Sequence, residues 1–131
     1  MIPKFRAYDS GSLTRMYQPD EVMVCDGNIW IIDEDDVAGS WIVNNDLNLM
    51  QSTGLKDKNG KEIFEKDILD YNGRKVIVKW HGSYACFIYE FVDELKNRTT
   101  EWQPLYLSYY KFEIIGNSLE NPELLEDSNN D

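Results

Sequence analysis

The chain has 131 residues, with 13 Lys and Arg against 24 Asp and Glu and a net charge of −11. Charge of this sign is repelled by the phosphate backbone and by anionic membranes, so it weighs against a nucleic-acid or membrane-surface role. The 4 Trp, 8 Tyr and 5 Phe exclude wholesale disorder and favour strands, and a single domain with a real core is expected at this length.

Taken in order, residues 3–8 read as a first strand that begins at Pro3, a residue unable to donate to a ladder. Leu13 to Tyr17 is a short second strand, ended by Pro19. Residues 21–25 and 28–32 form a hairpin around Asp26-Gly27, a favoured two-residue turn. Asp33-Glu34-Asp35-Asp36 interrupts the apolar pattern, and its adjacent carboxylates need solvent or a cation. Val37 to Val43 is a further short strand, and Asn44-Asn45-Asp46 a loop.

Two Asn-Gly pairs follow, Asn59-Gly60 and Asn72-Gly73, each predicting a tight turn between antiparallel strands. In the strand Arg74 to Trp80, Val76, Val78 and Trp80 share one face and Lys75, Ile77 and Lys79 the other. His81-Gly82-Ser83 is a turn. Tyr84 to Phe91 returns as a strand with Ala85, Phe87, Tyr89 and Phe91 on one face. Val92 to Thr100 is polar and reads as an exposed loop or one helical turn. Trp102 to Ile115 is predicted to carry a last strand, with Tyr106, Tyr110, Phe112 and Ile114 on one face and Leu107 and Tyr109 on the other. Apolar residues on both faces imply burial by core and by a partner subunit. Asn121-Pro122-Glu123 is a helix start with room for one or two turns, and 126–131 is expected to be a disordered acidic tail.

The stretch Gln51-Ser52-Thr53-Gly54-Leu55-Lys56-Asp57-Lys58-Asn59-Gly60-Lys61-Glu62-Ile63-Phe64-Glu65-Lys66-Asp67-Ile68 resembles the signature of the YopX family of small phage and prophage proteins. The blocks Lys4-Phe5-Arg6-Ala7-Tyr8-Asp9 and Ile114-Ile115-Gly116-Asn117, with Glu120-Asn121-Pro122-Glu123-Leu124-Leu125, are similar to the family at either end. There are two departures. Lys66 stands where the family usually has Gly, and Ser118-Leu119 where an Ile-Tyr pair is common. The resemblance implies a mainly β fold with an SH3-like small barrel, assembled into oligomers. It brings no established activity and no catalytic residues.

The residues themselves offer little chemistry. Cys86 and the single histidine, His81, can approach across the predicted hairpin. A Cys–His pair also needs an accessible thiolate and an orienting third group, and a turn histidine beside a small strand residue is the simpler reading. Asp57-Lys58-Asn59-Gly60 looks like part of a calcium loop, but an EF-hand needs Gly at loop position 6, and here it falls at position 4. Gly54 and Gly60 lack the spacing and the Lys-Ser/Thr ending of a phosphate loop. No catalytic, cofactor-binding or metal-ligating residue is therefore assigned, and no cofactor is expected.

Cys25 and Cys86 fall short of a disulfide framework, which fits a reducing cytoplasm. Polar residues follow Lys4 and Arg6 where a secretory leader would be apolar, and no apolar run approaches the ~20 residues that span a bilayer.

Residues 55–81 hold seven cationic side chains (Lys56, Lys58, Lys61, Lys66, Arg74, Lys75, Lys79) against five carboxylates (Asp57, Glu62, Glu65, Asp67, Asp70), a local +2 in a chain of −11. An anionic ligand would be tolerated only there. Taken with what the resemblance implies, these features predict a single domain over 1–125, with its barrel core in 55–115. The expected role is a non-enzymatic, homo-oligomeric interaction protein of phage or prophage origin that binds a host or phage protein in the bacterial cytoplasm. The alternative is a nucleic-acid-associated small barrel using Arg74, Lys75, Lys79 and Tyr84. A continuous basic face over 55–81 would favour the alternative, and cations interleaved with carboxylates the first reading. Trp102, Tyr109 and Tyr110 are candidate contacts, with core or subunit-interface packing the more favoured role for them.

Overall fold

The computed structural model describes residues 3–11, 13–95 and 101–126. The fold is mainly β, built from antiparallel sheets, and the chain divides into two compact units, 1–52 and 53–131.

In the first unit, β1 (Phe5–Asp9) pairs with β2 (Arg15–Tyr17) and with the first half of β6 (Asn48–Lys56). A separate three-stranded sheet is formed by β3 (Val22–Cys25), β4 (Asn28–Ile32) and β5 (Trp41–Val43). The expected hairpin at Asp26-Gly27 forms, with φ of 52° and 76° at the two turn residues, as a two-residue turn between right-twisted strands requires. The core of this unit is Ala7, Tyr17, Val22, Ile31 and Leu47, with Phe5, Ile29 and Leu49 packed against it. Of the strand predicted over 37–43 only Trp41–Val43 is extended. Gly39 takes φ 76°, and its N–H donates to the Asp36 carbonyl in a turn.

In the second unit β7 (Glu62–Phe64) lies beside β6. A five-stranded sheet in the order β11-β10-β9-β8-β12 curls into a half-barrel from β8 (Asp67–Tyr71), β9 (Arg74–His81), β10 (Cys86–Phe91), β11 (Trp102–Pro104) and β12 (Glu113–Asn117). The Asn72-Gly73 turn forms as expected, both residues at positive φ and Tyr71 opposite Arg74. The other Asn-Gly turn differs. Only Gly60 takes a positive φ, 82°, and the loop spans 57–61, closed by the Asp57 N–H on the Lys61 carbonyl. Val76 and Val78 share a face with Phe87, Tyr89 and Phe91, as the alternation predicts. With Ile63, Leu69, Leu105 and Phe112 they make the core, in which each fully buried large apolar side chain contributes about 1.5–3 kcal/mol. Ala85, expected on that strand face, lies instead in the 82–85 turn with φ 50°.

The predicted strand over Trp102–Ile115 is corrected. The chain leaves β11 at Pro104, which has no N–H for a ladder, and makes two 3-10 turns, Leu105–Leu107 and Tyr109–Lys111, before β12. The Ser108, Lys111 and Phe112 N–H groups donate to carbonyls three residues back, not to a neighbouring strand. Tyr106, Leu107 and Tyr110 consequently stand in solvent, while Leu105 and Phe112 are buried, so the alternation expected of a two-faced strand is absent. The expected short C-terminal helix is a single 3-10 turn, Pro122–Leu125. Asn121 does not cap it; its side-chain oxygen accepts from the Asn117 N–H instead. Val92–Glu94 is the one turn of 3-10 helix described in the 92–100 segment, the rest of which, from 96, lies outside the described residues. So does the expected acidic tail beyond 126.

Lys66 adopts φ 73°, a left-handed conformation that costs a side-chain-bearing residue about 1–2 kcal/mol. Its backbone is fixed there, because its N–H donates to Val78 and its carbonyl accepts from Ser118. Lys66→Gly is therefore expected to stabilise the fold by about 0.5–1 kcal/mol, after the entropy cost of glycine in the unfolded chain. A thermal melt that shows no gain would contradict this.

Candidate functional site

The signature residues act first on the backbone. Asp57 is 5% exposed. Its Oδ1 accepts from the N–H groups of Asn59 and Lys61, both at 2.9 Å, and its Oδ2 accepts from the N–H of Ile114 at 3.0 Å. The Lys58 N–H also reaches the Phe112 carbonyl, at 2.9 Å. The 57–61 loop is thereby tied to the start of β12. A carboxylate with both oxygens committed to N–H donors is poorly placed to bind calcium, and the hairpin-loop reading of Asp57–Gly60 explains the segment.

Asp67 is more deeply buried, at 1% exposed, and its Oδ2 accepts from the Phe64 N–H at 2.7 Å. Asn117 Oδ1 accepts from the N–H groups of Leu119 and Glu120, and its Nδ2 donates to Glu120. Gly116 follows a register shift in β12, and a Cβ on it would lie 2.5 Å from Asn121 Oδ1. These residues shape corners of the fold.

His81 and Cys86 are brought together, as expected, as a cross-strand pair. His81 packs by ring contact with Tyr84 and Trp102, at centroid distances of 4.9 and 4.8 Å, and Tyr84 and Trp102 are 5.1 Å apart. The histidine thus belongs to an aromatic triad, and its buried Nδ1 has no hydrogen-bond partner to orient it. Among the described residues none is placed on that Nδ1 as the orienting third group of a Cys–His nucleophile. Both cysteines are free thiols. Beside the triad is an open concavity of about 450 Å³, lined in part by Lys79, Trp80, His81, Ile88 and Glu90. Tyr84, 66% exposed, is the most prominent aromatic of this end of the sheet.

The acidic run becomes a loop braced by its own side chains. Asp33 Oδ1 accepts from the Asp35 N–H and Asp36 Oδ1 from the Ala38 N–H, while Glu34 pairs with Arg15. A hydrogen bond from the Ser40 side chain, aided by the Ala38 N–H, holds the Asp36 carboxyl below its ordinary value. Among the described residues no group of three or more His, Cys, Asp or Glu is placed to hold a metal ion.

The cations of 55–81 interleave with carboxylates. Lys58 faces Glu113 at 3.9 Å, Lys79 faces Glu90 at 3.1 Å, and Arg74 faces Asp93 at 2.9 Å and Glu94 at 3.7 Å. The Arg74 guanidinium also lies over the Phe91 ring, and its hydrogen bond to Asp93 raises its already high pKa. Lys75 stands opposite Asp70 in the ladder. Of the candidate contacts, Trp102 is half-buried in the ring triad, Tyr109 packs against the core, and Tyr110 is exposed.

Among the described residues no helix is long and apolar enough to cross a membrane. No curated protein matches the chain. The crystal structure of protein EF1440 from Enterococcus faecalis is similar to it, at 30% identity and a TM-score of 0.61, over 96% of this chain and 99% of that one. The family model described as YopX protein matches residues 4–126, nearly the whole chain, and spans all three blocks that carry the resemblance. The chain belongs to the YopX family.

Proposed function

We propose that the chain is a non-enzymatic, oligomeric protein-interaction module, encoded by a phage or prophage and acting in the bacterial cytoplasm. In this reading the second unit is a small barrel of SH3-like type, a view supported by its curled five-stranded sheet and the short 3-10 turns that follow β10 and β11. One contrast carries the functional reading. The buried polar side chains of the signature serve the backbone, while large apolar side chains stand exposed. In the second unit Tyr106, Leu107 and Tyr110 are all more than half exposed, on the segment that joins the two edge strands of the sheet, β11 and β12. Exposed apolar clusters of this kind mark contact surfaces. We assign this one to self-association, in place of the two-faced strand that the sequence predicted there.

Light scattering at micromolar concentration tests the reading. The expected molar mass is a multiple of the 15.3 kDa chain mass, and a monomer would contradict it. The second reading, a nucleic-acid-associated barrel, is favoured by the His81, Tyr84 and Trp102 rings, since bases stack on such surfaces. The pairing of Lys58, Arg74 and Lys79 with carboxylates speaks for the protein-binding role.

A further inference from the structure

The three-stranded sheet of the first unit has two apolar faces. Strand register settles which residues share each. Val22, Ile29 and Ile31 point into the core of the unit, while Val24 and Ile42 on the same face reach past its edge and are exposed. On the opposite face Met23 stands beside Trp30, Trp30 beside Val43, and Ile32 beside Trp41, with Cys25 further along β3. These six are apolar or nearly so, and the one polar residue that the register adds to the face is Asn28, opposite Cys25 at its edge. Met23 is 42% and Val43 43% exposed, Cys25 is exposed, and Trp30, Ile32 and Trp41 are half-buried. The solvent side of a half-covered sheet is normally polar, and this one carries a single polar side chain, Asn28, at its edge.

Carboxylates stand at both ends of the face. Asp26 is in the turn joining β3 to β4, and Asp46 follows β5 at the same end, where Asn45 bonds Asn28 and Ile29. Asp33, Glu34, Asp35 and Asp36 lie at the other end, after β4. Residues 1–52 hold nine carboxylates against three cationic side chains, a net −6, and one of those cations, Arg15, is already paired with Glu21 and Glu34. A second copy of this face would bring like charges together at both rims. A cationic occupant would relieve that repulsion.

We propose that this face is the docking site for a basic amphipathic helix of a partner protein, its apolar stripe on Met23, Trp30, Trp41 and Val43 and its Lys or Arg flanks toward the two acidic rims. The dimensions agree. Three strands spaced about 4.8 Å apart present a strip about 10 Å wide, close to the 10–12 Å diameter of a helix with its side chains. Apolar anchors supply the contact and the rim charges choose the partner and speed its approach. The inference rests on the protein-interaction reading and names the partner's chemistry.

The test uses the full chain and fluorescein-labelled synthetic peptides of about 14 residues, four helical turns, read by anisotropy. One peptide carries a Leu stripe with Lys flanks, a second the same stripe with Glu flanks, and a third Lys flanks with Ser in place of Leu. The Leu-Lys peptide is expected to bind, and the other two to bind at least about tenfold more weakly. Met23→Ser/Val43→Ser should weaken binding by about tenfold or more while the melting temperature and the oligomer mass hold. Asp26→Asn/Asp46→Asn should weaken it less, and should flatten its dependence on salt. No binding, equal binding of all three peptides, or binding indifferent to both double variants would overturn the proposal. Its failure with the oligomer mass intact would remove this docking site and leave the module reading standing. A monomeric wild-type chain that still binds the Leu-Lys peptide would do the reverse.

Discussion

Asp57→Ala is expected to destabilise the protein by about 3 kcal/mol, seen as a fall of about 10 °C in melting temperature. The change leaves three N–H groups without their acceptor, those of Asn59, Lys61 and Ile114. Each orphaned donor in a part-buried site costs about 1 kcal/mol or more, so the sum decides the outcome. Asp57→Asn should cost less. Its remaining amide oxygen can still serve Asn59 and Lys61, but its NH2 then meets the Ile114 N–H, and two donors face each other. The order wild type, Asn, Ala in a thermal melt is the expected result. Equal stability of all three would mean that the loop and β12 are held together by something else.

Phe112→Ala is expected to cost about 3–5 kcal/mol in urea unfolding. The ring is 2% exposed and makes edge contacts with Tyr89 at 5.0 Å and Tyr71 at 5.5 Å. It sits where the second 3-10 turn hands over to β12, and its carbonyl accepts from Lys58. The side chain therefore fills the core while its backbone anchors the same loop that Asp57 organises. Phe112→Leu keeps most of the volume and should cost about 1.5 kcal/mol or less. A small effect of the Ala change would place Phe112 outside the cooperative core.

Much of this fold is legible in local sequence. Asp26-Gly27 and Asn72-Gly73 specify their turns because two adjacent residues accept positive φ, and nothing distant need be known. The blocks around 51–68 and 114–125 likewise carry the family. The role of Asp57 could not be read, because one of its donors, Ile114, lies 57 residues away in sequence. Asn59-Gly60 looked like the other turns, yet the Asp57 carboxylate holds it in a wider loop.

The segment 102–115 misled for a different reason. Its many apolar residues satisfy a strand pattern on either face, and only Pro104 hinted at a break. The 3-10 turns there depend on how Leu105 and Phe112 reach the core. The outward face of the first sheet was in plain sight as the pairs Met23 and Cys25, Trp30 and Ile32, and Trp41 and Val43. Seeing that the three pairs coincide requires the register across β3, β4 and β5. The second alignment is set by the 33–40 loop, where the Asp33 N–H meets the Ser40 carbonyl.

Signature polar groups hold the backbone, and the exposed apolar groups are the surfaces we propose for contacts with other chains. The most direct test is the molar mass of a Leu107→Lys/Tyr110→Lys variant by light scattering, with a thermal melt on the same sample. The predicted result is a monomer that melts as a wild-type fold does, since both side chains are exposed and lie outside the core. An unchanged oligomer with an unchanged melt would contradict the assignment of self-association to this surface.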